Sequence, residues 1–167
     1  MVEIKASQLT YRSFRVLNAT SGSELRVVKL ESVYVKNRSF TFFISKCFKL
    51  VSLELGDLPC VTGATVEAIA GNCPLLEKLI FMCYLNITDL SVPFISSLLH
   101  LRELDVTFCY GITISGLQTL VKGVPNLESF CFKIGKKADQ DTDPAVVFQS
   151  LGRFCPRLRA LKCRSEL

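Results

Sequence analysis

The chain has 167 residues, of which 49% are apolar and 21% charged, so it can bury a core, and disorder is excluded as its main state. Its 20 basic and 15 acidic residues leave a net charge of +5, too small a surplus to indicate a nucleic-acid-binding protein. Since the sequence shows neither a signal peptide nor an apolar run of about 18 residues, we expect a cytoplasmic or nuclear protein with no nucleic-acid partner and no membrane partner.

A repeat of about 26 residues runs through most of the chain. Each unit opens with a leucine and has further apolar residues three and five positions later, as in Leu101, Leu104 and Val106. The first leucines are separated by 25, 26, 25, 26 and 31 residues, at Leu25, Leu50, Leu76, Leu101, Leu127 and Leu158. Such regular self-similarity is typical of stacked units that bury one continuous core.

The chain also begins and ends inside this repeat frame. The segment Val2-Glu3-Ile4 matches Val28-Lys29-Leu30, so we expect a strand from a unit that lacks its first leucine. The last unit closes just after Cys163, with a strand and no helix. We therefore expect one repeat domain over residues 1–167, a piece of a longer stack with incomplete first and last repeats. The alternative is a short natural protein with imperfect ends.

Within one unit, the pattern predicts one strand and one helix. The first six residues alternate, a threonine suited to cap a helix follows, and apolar residues then recur at helical spacing. The capping threonines are Thr62, Thr88 and Thr113, and prolines mark helix exits at Pro74, Pro125 and Pro156. Neither element can bury its apolar face alone. The predicted fold class is therefore α/β, a solenoid of about six repeats with a curved parallel sheet on the concave side and helices on the convex side.

Two units depart from the frame. Pro93 lies too deep for a helix capped by Thr88, so we expect that helix to begin near Ser91. Residues 135–143 lengthen another unit, and we expect Pro144 to be the first helical residue behind an Asp143 cap. Two interpretations of this insertion remain, a loop on a binding edge and a solvated loop without a role.

The eight cysteines indicate packing rather than chemistry. No Cys-x-x-Cys pair occurs and His100 is the only histidine, so neither a zinc site nor a Cys-His catalytic pair is expected. Five cysteines take recurring repeat positions and are expected to fill the core: Cys47, Cys73, Cys109, Cys155 and Cys163. No phosphate-binding glycine loop or Gly-x-Ser-x-Gly is present either. We therefore expect no enzyme activity, no catalytic residue, no metal and no cofactor.

Positions two, four and six after each unit's first leucine are expected to point away from the core, along the concave side of the sheet. In the middle units, apolar residues occupy some of these positions with acids beside them, which indicates a protein-binding patch. The candidate partner-binding residues are Glu54, Lys78, Ile80, Met82, Glu103, Asp105, Thr107 and Lys133. With Lys162 and Arg164, Lys133 makes one end of this side basic. A solvated face explains the charges equally well.

Two runs carry a family resemblance. Residues 101–113, Leu-Arg-Glu-Leu-Asp-Val-Thr-Phe-Cys-Tyr-Gly-Ile-Thr, and residues 73–79, Cys-Pro-Leu-Leu-Glu-Lys-Leu, resemble the cysteine-containing leucine-rich repeat of F-box and leucine-rich-repeat proteins. The resemblance covers about residues 25–167, although Tyr84 and Leu58 stand where this repeat usually has cysteine.

This resemblance implies a protein-interaction solenoid that is the substrate-recognition part of an SCF-type ubiquitin ligase receptor. A protein substrate would bind the concave face, and the cullin-ligase adaptor would bind only if an F-box lies upstream. The alternative is a leucine-rich-repeat scaffold or adaptor with no ubiquitin-ligase link.

Overall fold

The computed structural model describes residues 2–7, 22–82, 86–134 and 143–165, in which strands and helices alternate. The strands are β1 Val2–Ser7, β2 Leu25–Glu31, β3 Ser52–Gly56, β4 Lys78–Met82, β5 Glu103–Asp105, β6 Ser129–Ile134 and β7 Ala160–Ser165. The helices in these ranges are α1 Asn37–Ile44, α2 Gly63–Asn72, α3 Val92–Ser96, α4 Ile114–Gly123 and α5 Ala145–Phe154. The fold class is α/β.

The seven strands form one parallel sheet in which they follow one another in chain order. Equivalent residues of successive units lie side by side: Leu53 pairs with Leu79, Leu79 with Leu104, and the row continues through Phe130 to Leu161. The prediction that the repeat units supply neighbouring parallel strands is therefore confirmed. Parallel neighbours need a crossover connection, and the helices of the units supply it.

One continuous core lies between the sheet and the helices. The strand residues Leu53, Leu79 and Leu104 are fully buried, as are Val66 of α2 and Leu120 of α4, and all belong to a single cluster. Alternate strand residues point to opposite sides of the sheet. The buried ones pack against helix residues, so the helices cover one side of the sheet. We call the covered side the core face and the other side the open face.

Two helices begin where the sequence predicts. At α4, Oγ1 of Thr113 accepts a hydrogen bond from the backbone N–H of Gly116 at 3.0 Å. The helix α3 begins at Val92, directly after a 3-10 turn at Asp89–Ser91, which agrees with the start expected near Ser91. Pro93 therefore lies in the first turn of α3, where its missing N–H costs no helical hydrogen bond.

The helix after the insertion begins one residue later than predicted. Pro144 is the N-cap of α5 and not its first helical residue. The carboxylate of Asp143 still satisfies the helix start, since its Oδ1 accepts a hydrogen bond from the N–H of Ala145 at 2.8 Å. Most of the insertion, residues 135–142, lies outside the described residues, so both interpretations of it stay predictions.

Polar side chains join two pairs of neighbouring units at their helix starts. Asp89, ahead of α3, accepts hydrogen bonds from the backbone N–H of Thr113 at 2.8 Å and from its Oγ1 at 2.7 Å. Asn37, at the start of α1, donates from Nδ2 to the carbonyl oxygen of Cys60 and to Oγ1 of Thr62, both at 2.9 Å. Neighbouring helix starts are thus fixed by directional bonds as well as by burial.

The first strand is displaced from the predicted alignment. Ile4 pairs with Val28 and Ala6 with Leu30, whereas the sequence match equates Val2 and Ile4 with those two positions. A shift of two residues leaves the same alternate positions on each face of the sheet. The short alternating pattern therefore fits both alignments, and without a first leucine the sequence cannot choose between them.

Along β7 the core-face side chains are exposed in the described part of the chain. Leu161 is 43% exposed and Cys163 is exposed, whereas their register partners in β6, Phe130 and Phe132, are fully buried. The expectation that Cys163 fills the core is therefore wrong. Its position has the predicted facing, but no described residue packs over it.

Candidate functional site

A chain of ion pairs crosses the open face from β2 to β5. Lys29 Nζ lies 2.8 Å from Oε1 of Glu54, Lys78 Nζ lies 3.2 Å from the same oxygen, and Lys78 Nζ lies 2.9 Å from Oε1 of Glu103. The register produces this arrangement, because Lys29 pairs with Glu54 and Lys78 pairs with Glu103. We call these four residues the charge ladder. Three predicted site residues are thus brought together, each with a partner of opposite charge.

Glu54 is the least exposed member of the charge ladder, with 12% of its side chain accessible. Burial alone would raise the pKa of Glu54, but hydrogen bonds and charges from Lys29 and Lys78 outweigh burial and hold the pKa below its ordinary value of 4.5. Burial would likewise lower the pKa of Lys78, yet hydrogen bonds to Glu103 and Glu54 keep it above the ordinary 10.5. Both groups are therefore fully charged at neutral pH.

Two apolar candidates, Ile80 and Met82, lie beside the charge ladder, and we call them the apolar strip. Ile80 is half-buried and pairs with Glu54 on one side and Asp105 on the other. Met82 is 38% exposed and pairs with Gly56. Because Gly56 has no side chain, the methionine is open on that flank. A flexible thioether of this kind adapts well to an apolar partner surface.

Two further candidate residues, Asp105 and Thr107, have different environments. Asp105 ends β5, and its Oδ1 accepts a hydrogen bond from the N–H of Thr107 at 2.8 Å. Thr107 itself is only 3% exposed, so its predicted place on the open face is wrong. The reason is the length of β5, which has 3 residues. The backbone turns after Asp105, and the alternation of the strand does not reach Thr107.

At the β7 end of the open face, cations lie over aromatic rings. Lys133 Nζ is 4.9 Å from the ring centre of Tyr110, and the guanidinium carbon of Arg164 is 5.6 Å from that of Phe108. The two rings meet edge to face with centres 6.5 Å apart. Lys133 and Arg164 are register partners, so three successive units contribute to one group, which we call the basic–aromatic cluster. These distances are typical of cation–π contacts.

Sequence reasoning predicts the basic end of this surface but misses Phe108 and Tyr110. Both lie in the turn after β5, outside the alternating strand positions from which the site is predicted. A usable signal was the buried Cys109 between them, since a core residue in a tight turn directs its two neighbours outward. Tyr110 is 44% exposed, in agreement with that pattern.

The buried thiols lack the environment of reactive cysteines. Cys47 and Cys73 are fully buried, and burial raises the pKa of each to about 12, in Cys47 despite the nearby charge of Lys46. The pKa of Cys109 is raised further still by burial. A thiolate is the reactive form, and it is not populated at neutral pH in these three residues. Their environment agrees with a packing role.

Metal-binding geometry is also missing from the described part of the chain. Within residues 2–7, 22–82, 86–134 and 143–165, no three His, Cys, Asp or Glu side chains are arranged to hold a metal ion. No helix in these ranges has both the length and the apolar character needed to cross a bilayer.

Comparisons with protein-family models and with curated proteins find no match to this chain. The functional argument therefore rests on the geometry of the open face and on the sequence.

Proposed function

We propose that the chain is a leucine-rich-repeat solenoid. The support is its strand order, since seven parallel strands follow one another in chain order with equivalent residues in register and helices on one face. A helix is about 10 Å wide and neighbouring strands are about 4.8 Å apart, so a stack with one of each per unit bends toward the strands. The open face is then the concave side, which solenoids commonly use for binding.

Protein binding is the function that we propose for the open face. The observation that carries this proposal is the apolar strip: Ile80 is the register partner of Glu54 in the charge ladder, and Met82, two residues further along β4, is 38% exposed. A partner that covers the charge ladder buries no unpaired charge, so it avoids the large penalty for a lone buried ion. The apolar strip would supply the affinity, and the surrounding charges would supply specificity.

Within protein binding, we propose the substrate-recognition part of an SCF-type, F-box ubiquitin ligase receptor. The support for this finer assignment is the resemblance of residues 73–79 and 101–113 to the repeats of F-box and leucine-rich-repeat proteins. A scaffold without a ligase link would use the same face. The two functions differ in one partner, the cullin-ligase adaptor, which requires an F-box upstream of this segment.

The test is affinity capture from cells with the full-length gene product, in wild type and Met82→Ala forms. We expect the wild type to capture the adaptor together with a substrate protein. Met82→Ala should capture the adaptor equally well and release the substrate faster, because an apolar anchor is lost. The matched control is Leu90→Ala, since Leu90 is 84% exposed and precedes α3, away from the open face.

The outcomes separate the two functions. Substrate capture without the adaptor would support the scaffold function and contradict the ligase assignment. Equal substrate release from wild type and Met82→Ala would move the binding surface away from the apolar strip. Faster release from the Leu90→Ala control as well would indicate that the loss is not specific to the open face.

A further inference from the structure

The two ends of the open face differ in their charge balance. In the charge ladder, two lysines are matched by two glutamates. Near the basic–aromatic cluster, Lys162 and Arg164 form no ion pair with any residue in the described ranges. Positive charge is thus balanced from β2 to β5 and left over at β7.

The acid closest to this surplus in the sheet register is Asp105. It pairs with Cys131, and Cys131 pairs with Lys162. However, Oδ1 of Asp105 already accepts a hydrogen bond from the N–H of Thr107 at 2.8 Å. The carboxylate is therefore partly engaged by its own turn, and its single charge offsets at most one of Lys162 and Arg164.

The ring of Phe108 holds Arg164 in place without neutralising it. A guanidinium over a ring keeps its full charge and its outward N–H donors, so Arg164 over Phe108 can still bind a carboxylate. Lys162 and Arg164 occupy alternate positions of β7 and share the open face. Their backbone positions are about 6.6 Å apart, which is also the spacing of alternate residues in an extended peptide.

We propose that the basic–aromatic cluster, together with Lys162, is the docking site for an acidic, extended segment of the partner protein. This inference rests on the proposed protein-binding function and specifies the chemistry of one contact. Carboxylates at alternate positions of the segment would meet Lys162 and Arg164. The guanidinium of Arg164 can bind a carboxylate in a bidentate manner. The exposed ring of Tyr110 would pack against the aliphatic part of the same segment.

The experiment measures peptide binding to the purified 167-residue chain by fluorescence anisotropy. The probe is a fluorescein-labelled peptide of alternating Glu and Gly residues, and the same peptide with Gln in place of Glu is the neutral reference. We expect Lys162→Glu combined with Arg164→Glu to weaken binding of the acidic peptide at least about tenfold. The neutral peptide should bind weakly to both proteins.

A matched double variant controls for net charge. Lys122→Glu combined with Arg157→Glu changes the charge by the same amount at exposed sites in α4 and in the turn before β7. We expect it to weaken binding by less than about twofold, because charges beyond about 8 Å are screened at physiological salt. Equal weakening by the two double variants would overturn the proposal, since only net charge would then matter.

The aromatic part of the site has its own test. We expect Tyr110→Ala to weaken binding about threefold, whereas Tyr110→Phe should bind like the wild type because the ring is kept. Unchanged binding by Tyr110→Ala would overturn the role of the ring. Circular dichroism confirms that each variant is folded. Failure of the acidic peptide to bind the wild type would overturn the docking site alone, since substrate capture through Met82 is measured separately.

Discussion

Two adjacent residues of β5 show how the alternation of a strand separates packing from surface roles. Leu104 is fully buried and lies between Leu79 and Phe130 in the sheet. Glu103 precedes it, is partly exposed on the open face, and pairs with Lys78 at 2.9 Å. Two adjacent residues therefore contribute differently to the free energy of unfolding.

We expect Leu104→Ala to lower the free energy of unfolding by about 2 to 5 kcal/mol, because it leaves a cavity in a close-packed core. Glu103→Ala should change it by only about 0.5 kcal/mol, since a partly exposed ion pair contributes little. Urea denaturation of the two variants measures the difference. Equal losses would mean that the assigned facing of β5 is wrong.

Glu54 provides a pH-dependent prediction. Its pKa in the folded chain lies below the ordinary 4.5, so its contribution to stability is complete above the unfolded pKa and is lost as the pH falls through the folded pKa. Glu54→Gln should lower the free energy of unfolding by about 1 kcal/mol at neutral pH. The gap between the two proteins should close as the solution is made more acidic, as measured by urea denaturation across the pH range.

The control for this prediction is Glu24→Gln. Glu24 pairs with Lys49 at 2.8 Å, but 62% of its side chain is exposed, so solvent screens the pair. We expect a smaller loss than for Glu54→Gln. A stability gap for Glu54→Gln that persists in acid would contradict the charge-based explanation and indicate a packing effect.

At the scale of elements, two helix glycines differ in what surrounds them. A Cβ at Gly116 of α4 would collide with the carboxylate of Asp89, which also holds Thr113 at the start of the same helix. Around Gly152 of α5, no other atom lies within 4 Å of where a Cβ would be. Close contact between consecutive units explains Gly116, whereas nothing in the structure requires Gly152.

We expect Gly116→Ala to lower the free energy of unfolding by about 1 to 3 kcal/mol, because the methyl group displaces the carboxylate that ties α3 to α4. Gly152→Ala should raise it by about 0.5 to 1 kcal/mol, since alanine restricts the unfolded chain and favours a helix. Thermal unfolding of both variants is the measurement. Stabilisation by both changes would show that the contact between Asp89 and α4 is not needed.

The elements that could be predicted from the sequence are those that depend on burial. The repeat of leucines reports which residues must face a core, so it predicts the strands, the helices and their order in the sheet. It does not report where a strand stops, and Thr107 is misplaced because β5 ends at Asp105. It also leaves the alignment of β1 open, because a shift of two residues buries the same positions.

Part of the candidate site could also be predicted from the sequence. Lys29 and Glu54 occupy the same position in successive units, so the register alone would have paired them. The contacts of Lys133 with Tyr110 and of Arg164 with Phe108 could not be predicted from the sequence, because they depend on the path of a turn. Turns lack the periodic pattern on which the prediction of strands relies.

At the scale of the whole molecule, consecutive strands and consecutive helices contact one another, and burial is uneven along the sheet. The core-face residues Leu53 and Leu55 of β3 are fully buried, whereas Leu161 of β7 is 43% exposed. Local opening is easiest where little apolar surface is covered. We expect backbone amides of β7 to exchange with deuterium faster than those of β3, as measured by mass spectrometry on the 167-residue chain.

Equal protection of the two strands would contradict this prediction. It would mean that something covers the core face of β7 in solution. Repeating the measurement at several protein concentrations would then identify the cover, since protection that falls on dilution indicates association between copies of the chain.

The sheet register also constrains how such a chain can change its number of repeats. On the core face, Leu53, Leu79 and Leu104 are equivalent, so one unit could be lost without altering the row. On the open face the units are not equivalent. Removing the unit of β4 would place Glu54 beside Asp105, two carboxylates with no lysine between them. Loss of the β4 unit is therefore compatible with the core of this protein and opposed by its surface charges.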